Sequence, residues 1–175
     1  LAGIGPDLCL QIDYSQFDNY EIVLVADPES LKQRAAILGI DVDIKIIDSY
    51  TPLSGNKSGT LKIYPYTANV FSAPGLPDIA NGRYLLNCLD FAVDSCLNGQ
   101  AAAMVTGPLN KATINQSGIP FSGHTEYLQQ RCQSDEVVMM LATEHLKVAL
   151  VTTHLPLRDV PDAITKAKLN KVLTI

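Results

Sequence analysis

The sequence predicts an α/β fold: a largely parallel sheet covered by helices on both faces (α/β/α). Three observations carry that expectation. Apolar runs of strand length recur at 21–26 (EIVLVA), 101–106 (AAAMVT), 137–142 (VVMMLA) and 147–152 (KVALVT). Their hydrophobicity is nearly continuous, which fits strands buried on both faces better than half-solvated ones. Helical stripes separate the runs and Gly or Pro punctuates the joins, and such strand–helix alternation is what parallel crossovers require.

The elements follow in order. Residues 3–7, GIGPD, form a glycine-rich turn whose Pro6 suits the first position of a helix carrying Leu8, Cys9 and Ile12. The turn is not a dinucleotide fingerprint, because Leu8 stands where the third Gly of GxGxxG belongs. A plain helix entry and an anion-holding turn both remain open for it. Residues 21–26 read as a strand, and Asp27-Pro28 then starts a helix that ends at Leu38-Gly39. Residues 42–47 read as the next strand of a parallel crossover, 49–60 as a polar loop, and 61–66 as a short strand. In 79–97 the positions Leu85, Leu89, Ala92, Val93 and Cys96 fall on one stripe, and Asn98-Gly99 supplies the stop. The run 101–106 reads as a buried strand that leads into Gly107-Pro108-Leu109-Asn110-Lys111. A short helix is expected at 126–132, then core strands at 137–142 and 147–152, with Met139 and Met140 as packing residues. Thr165 is placed to cap a last helix carrying Ala167, Leu169, Val172 and Leu173.

Composition narrows the function classes. The chain has 175 residues, of which 47% are hydrophobic and 18% charged, enough apolar material for a sizeable core. A net charge of −5 with no Lys/Arg run argues against nucleic acid, whose phosphates need clustered cations. No apolar stretch approaches the roughly 18 residues of a membrane span. The four cysteines Cys9, Cys88, Cys96 and Cys132 lack CxxC spacing and read as reduced, buried thiols, which suits a cytoplasmic protein. Leu1 opens inside a loop and Ile175 closes an unfinished amphipathic helix, so the expectation is a portion of a longer polypeptide with both termini truncated.

Two stretches concentrate the chemistry. In 117–126, SGIPFSGHTE, glycines and a proline shape a loop that delivers His124, Thr125 and Glu126 to the start of a helix. In 152–159, TTHLPLRD, His154 directly follows an apolar run, where open α/β sheets bind ligands outside the carboxyl ends of their strands. Imidazole can ligate a metal, move a proton or bind an anion near neutrality. The structural readings stand beside these: Thr125 as a helix cap with Glu126 at the positive helix end, Lys111 as a solvated surface cation, Arg158 and Asp159 as a surface pair, His145 as an ordinary exposed histidine. HExxH, GxSxG and paired-cysteine zinc patterns do not occur. A catalytic zinc takes about three protein ligands and only two well-placed histidines are offered, so a complete site needs help from further sequence or a second subunit.

The phrases GIGPD, TGPLNK (106–111), GIPFSGHTE (118–126), VVMMLAT (137–143) and TTHLPLRD resemble, in order and spacing, the 4-hydroxythreonine-4-phosphate dehydrogenase family of vitamin B6 biosynthesis. The resemblance runs over the whole chain and covers about the first half of the family's length. It implies that residues 1–175 are the N-terminal portion of a single two-subdomain α/β dehydrogenase. The implied reaction is NAD- (or NADP-) dependent oxidation of 4-phosphohydroxy-L-threonine to a β-keto acid that decarboxylates to 3-amino-2-oxopropyl phosphate. It further implies a divalent metal (Zn, Mg or Co) held by three histidines of a homodimer whose subunits share the active site, with His154 matching one ligand. His124 and Thr125 match the substrate-contacting pair, and Lys111 matches a lysine expected to help bind substrate or move a proton. The remaining metal ligands and the nicotinamide site are expected outside this chain, with no membrane and no nucleic-acid partner. The alternatives are a sister dehydrogenase acting on 4-phospho-D-threonate or erythronate, and a non-catalytic anion-binding fragment.

Overall fold

The computed structural model describes residues 1–17, 19–48 and 55–175. The chain forms two compact units, residues Leu1–Phe121 and Ser122–Ile175.

In the first unit, helix α1 (Gly5–Gln11) carries Pro6 in its first turn and is followed by a 3-10 turn at Tyr14–Gln16. Strand β1 (Leu24–Ala26) runs into helix α2 (Pro28–Leu38), which Asp27 caps by accepting the Ser30 N–H at 2.7 Å. Gly39 closes α2 with φ 66°, a left-handed cap that glycine adopts without steric cost. Strands β2 (Asp43–Ile46) and β3 (Thr60–Pro65) complete a three-stranded parallel sheet in the order β1-β3-β2. Thus the strand latest in sequence lies in the middle, with Leu24 beside Ile63 on one edge and Ile46 beside Ile63 on the other. Of the loop expected at 49–60, residues 49–54 lie outside the described residues.

Side-chain alternation along β3 explains the layers. Leu61 and Ile63 are buried in one cluster with Leu10, Tyr14, Leu31 and Ala35, contributed by α1, its following turn and α2. Tyr64, one step out of phase, stacks on Phe91 with ring centroids 4.0 Å apart. Phe91 belongs to helix α3 (Gly82–Leu97), so successive residues of the central strand face helices on opposite sides. The expectation of a helix-covered parallel sheet holds in this unit. A buried ion pair between Lys62 and Glu21 takes up the one charged side chain that β3 turns inward.

Two extended apolar runs depart from expectation. Residues 101–106 form no strand among the described residues, and Val105 is 97% exposed. A strand is defined by its partner, and this stretch has suitable side chains but no ladder to join. Helix α4 (Lys111–Gln116) follows it, capped by Asn110, which accepts the Thr113 N–H at 3.2 Å.

In the second unit, helix α5 (His124–Arg131) precedes strands β4 (Met140–Ala142) and β5 (Lys147–Ala149). These pair antiparallel with each other, and all six residues are exposed. The expected core strands are therefore a surface hairpin, and Met140, Leu141 and Val148 are exposed rather than core residues. The composition was read correctly as strand, but two strands that pair only with one another leave both faces uncovered. Helices α6 (Val160–Ala163) and α7 (Lys166–Thr174) end the chain, and Thr165 caps α7 as expected by accepting the Lys168 N–H at 3.1 Å. All four cysteines are free; Cys132 is exposed rather than buried, while burial pushes the Cys88 thiol up to about 11.

Gly82 marks the closest approach of α3 to α4. A Cβ at this position would lie 2.6 Å from the Ser117 Cβ and collide with its Oγ, which is already pinned by donating to the Ile114 carbonyl at 2.6 Å. Gly82→Ala is expected to cost about 1–3 kcal/mol through this overlap, and adding Ser117→Gly should restore most of the loss. Thermal unfolding of the single and double variants checks it, and an unchanged Tm for the single variant contradicts it.

Candidate functional site

Asp27 organises the carboxyl edge of the parallel sheet. It directly follows β1 and is buried; one carboxylate oxygen caps α2 and the other accepts the Ala68 N–H at 2.6 Å, from the chain leaving β3. Its own N–H donates to the Tyr84 hydroxyl at 2.8 Å, which brings α3 to the same point. Desolvation raises the Tyr84 pKa, so this phenol stays neutral and serves as a fixed acceptor.

A second buried polar group holds the glycine turn of 3–7. Arg34 of α2 lies 3.2 Å from the Asp7 carboxylate and donates to the Gly3 carbonyl at 2.7 Å. The guanidinium thereby fixes the start of α1 from both sides of the turn. Gly107 sits against Gly5, whose Cα would be 3.9 Å from a Cβ added at 107. The GIGPD and TGPLNK turns, far apart in sequence, are thus neighbours in the first unit. No sequence signal paired them; the signal available was only that each is a glycine turn at an element end. Lys111 is exposed and opens α4.

The second unit carries the histidines. His124 is the first residue of α5, half-buried, and its Nε2 atom is enclosed. The helix begins two residues before the expected 126, with Gly123 as the cap residue and no side-chain cap bond. Thr125 is therefore inside the first turn and does not cap the helix, contrary to the structural reading of the sequence. Its half-buried hydroxyl makes no hydrogen bond among the described residues, which leaves it available to a ligand. Glu126 does lie in the first turn, at the positive helix end.

His154 is exposed and adopts φ 56°, a left-handed conformation uncommon for a residue with a side chain. The turn presents the imidazole outward after Thr152 and Thr153. Among the described residues no group of three or more His, Cys, Asp or Glu has the arrangement to hold a metal ion. His154 thus fits a metal as a single ligand, not as part of a complete set. Arg158 and Asp159 form an exposed pair at 3.4 Å, and His145 is exposed beside Glu144, both as the structural readings expected. Lys111 belongs to the first unit, while His124, Thr125 and His154 belong to the second.

Helices on both faces of a parallel sheet, with polar loops at its carboxyl edge, define an α/β protein of the class that binds small molecules along that edge. The model of the family described as pyridoxal phosphate biosynthetic protein PdxA matches residues 18–175. The chain belongs to this family. Its fold is similar to that of 4-hydroxythreonine-4-phosphate dehydrogenase from Klebsiella pneumoniae, at 28% identity and a TM-score of 0.89, covering 99% of this chain and 53% of that one. A putative 4-hydroxythreonine-4-phosphate dehydrogenase from Salmonella typhimurium matches at 26% identity and TM-score 0.86, over 99% and 55% of the two chains. One from Burkholderia phymatum matches at 25% and 0.87, over 99% and 53%. The chain therefore spans about half the length of the solved relatives it matches.

An exposed left-handed residue is held there by the turn and not by its own packing. His154→Gly is expected to leave stability unchanged or raise it by up to about 1 kcal/mol, the relieved strain being partly offset by the freer unfolded chain. Thermal unfolding tests this, and a clear loss of Tm would mean that the imidazole carries a structural contact.

Proposed function

We propose that the chain is the N-terminal portion of a two-subdomain, metal- and NAD(P)-dependent dehydrogenase acting on 4-phosphohydroxy-L-threonine. The observation that carries this reading is the family match over residues 18–175, which includes both histidine loops. The substrate's secondary alcohol loses a hydride to the nicotinamide and a proton to the protein or solvent. The resulting β-keto acid loses carbon dioxide to leave 3-amino-2-oxopropyl phosphate.

The chain's own residues take definite parts. His124 and Thr125 present an imidazole and a hydroxyl from one half-buried helical turn, suited to hydrogen-bond the polar groups of the substrate. Lys111, an exposed cation at the start of α4, pairs with an anionic group of the substrate or relays a proton. His154 offers one imidazole to a divalent cation (Zn, Mg or Co), which when bound supplies a Lewis acid that lowers the pKa of the substrate hydroxyl. A catalytic cation takes about three protein ligands, so the remaining ligands come from outside the described residues, in our reading from further sequence and the second subunit of a homodimer. The absence among the described residues of a helix long and apolar enough to cross a membrane agrees with a cytoplasmic biosynthetic enzyme.

The polypeptide expressed from the complete gene, supplied with NAD and a divalent metal, is expected to form NADH when given 4-phosphohydroxy-L-threonine. His154→Ala should abolish turnover and weaken metal binding about tenfold or more, as loss of a ligand does. His124→Ala should act mainly on substrate binding. Oxidation of 4-phospho-D-threonate or erythronate in place of the proposed substrate would reassign the enzyme to its sister activity. Metal binding unaffected by His154→Ala would remove that residue from the site.

A further inference from the structure

We infer that the first unit carries a binding cleft of its own, for a small hydroxylated amine. The cleft has a volume of about 230 Å³ and lies where the GIGPD turn, the 72–81 segment and the start of α4 meet. Its size suits a ligand of a few heavy atoms, below the range of drug-sized sites, which begins at about 300 Å³.

The lining sets the ligand's chemistry. Ser72 and Thr113 are each more than nine-tenths buried and both face the cleft region. The Ser72 Oγ accepts from the Asn81 amide at 3.0 Å, but its own proton is donated to no group among the described residues. The Thr113 hydroxyl makes no hydrogen bond there either, although the residue's N–H is bonded to Asn110. Buried hydroxyls normally find partners, so two unused ones on the wall of one cleft are a place for a ligand's oxygen or nitrogen. Asp78 supplies the charge: one carboxylate oxygen accepts the Ala80 N–H at 2.8 Å, and the residue remains exposed toward the opening. No Lys or Arg side chain lines the cleft. A carboxylate with hydroxyls and no facing cationic side chain favours an ammonium and disfavours a phosphate. Leu85 and Leu109 give the remaining wall an apolar surface for a short carbon skeleton.

The cleft is built rather than incidental. Asn81, buried at its base, uses its side-chain oxygen to accept the Asn69 and Val70 N–H groups and its amide to donate to the Val70 carbonyl and to Ser72. The glycine turn on the opposite wall is clamped by Arg34. Both walls are thus fixed before a ligand arrives, which lowers the entropic cost of binding. None of His124, Thr125 or His154 takes part, so the assignment stands or falls separately from the dehydrogenase reading.

The test is a titration of the isotopically labelled protein with serinol (2-amino-1,3-propanediol), glycerol and inorganic phosphate, followed by amide chemical shifts. Serinol is expected to shift the Asn81, Asn110 and Thr113 amides with weak, saturable affinity, with glycerol weaker and phosphate silent at those positions. Thr113→Val should weaken serinol at least about threefold, the loss of one hydrogen bond. Asp78→Asn, at an exposed position where the cap to Ala80 is retained, should remove the preference for serinol over glycerol, and it carries the test if the threonine variant folds poorly. Absence of saturable shifts with serinol, an equal response to phosphate, or an unchanged preference in Asp78→Asn would each overturn the assignment.

Discussion

The structure of the first unit depends on one buried carboxylate. Asp27 stands where β1 ends, and its two oxygens and one N–H join α2, the chain leaving β3 and Tyr84 of α3. A buried ionised group is costly unless its hydrogen-bonding capacity is used. Here every contact is a backbone or phenol partner from a different element, so desolvation is offset only when all of them are in place. The carboxylate therefore selects one arrangement of the sheet's carboxyl edge. Arg34 does the same for the neighbouring glycine turn, through Asp7 and the Gly3 carbonyl.

This arrangement explains how a fold of common class presents an unusual edge. The apolar alternation of β3 fixes which helices lie on which face, and the polar junction at Asp27 fixes how their ends meet. The turns that carry GIGPD and TGPLNK then come together as a consequence, with Gly5 against Gly107. Close approach of backbones at that point is why both positions are glycine. In the second unit, by contrast, the described residues contribute little burial: Val172 is its buried apolar side chain, and the hairpin is exposed on both strands.

Much of the first unit was legible in the sequence. Asp27-Pro28 and Gly39 carry their own capping chemistry, and the 79–97 stripe fixes both the helix and its buried face. What local pattern does not encode is pairing. The runs at 101–106 and 137–152 have strand composition, but whether such a run is buried depends on which other strand lies beside it. Likewise nothing in the spacing of GIGPD and TGPLNK announces that they touch. At the histidine loop the sequence marked His124 and Thr125 but misplaced the helix start, because Gly123 with its extended backbone ends the loop without any side-chain cap. The left-handed turn at His154 was also invisible, since a histidine has no sequence signature for positive φ.

The account rests most directly on Asp27 acting as a junction and not merely as the cap of one helix. Amide hydrogen exchange in Asp27→Ala measures the difference. The Ser30 and Ala68 amides, on different elements, are expected to lose protection together, by about tenfold or more, along with the first turns of α2 and α3. Loss confined to Ser30 and its neighbours in α2, with Ala68 and α3 as protected as before, would contradict the claim.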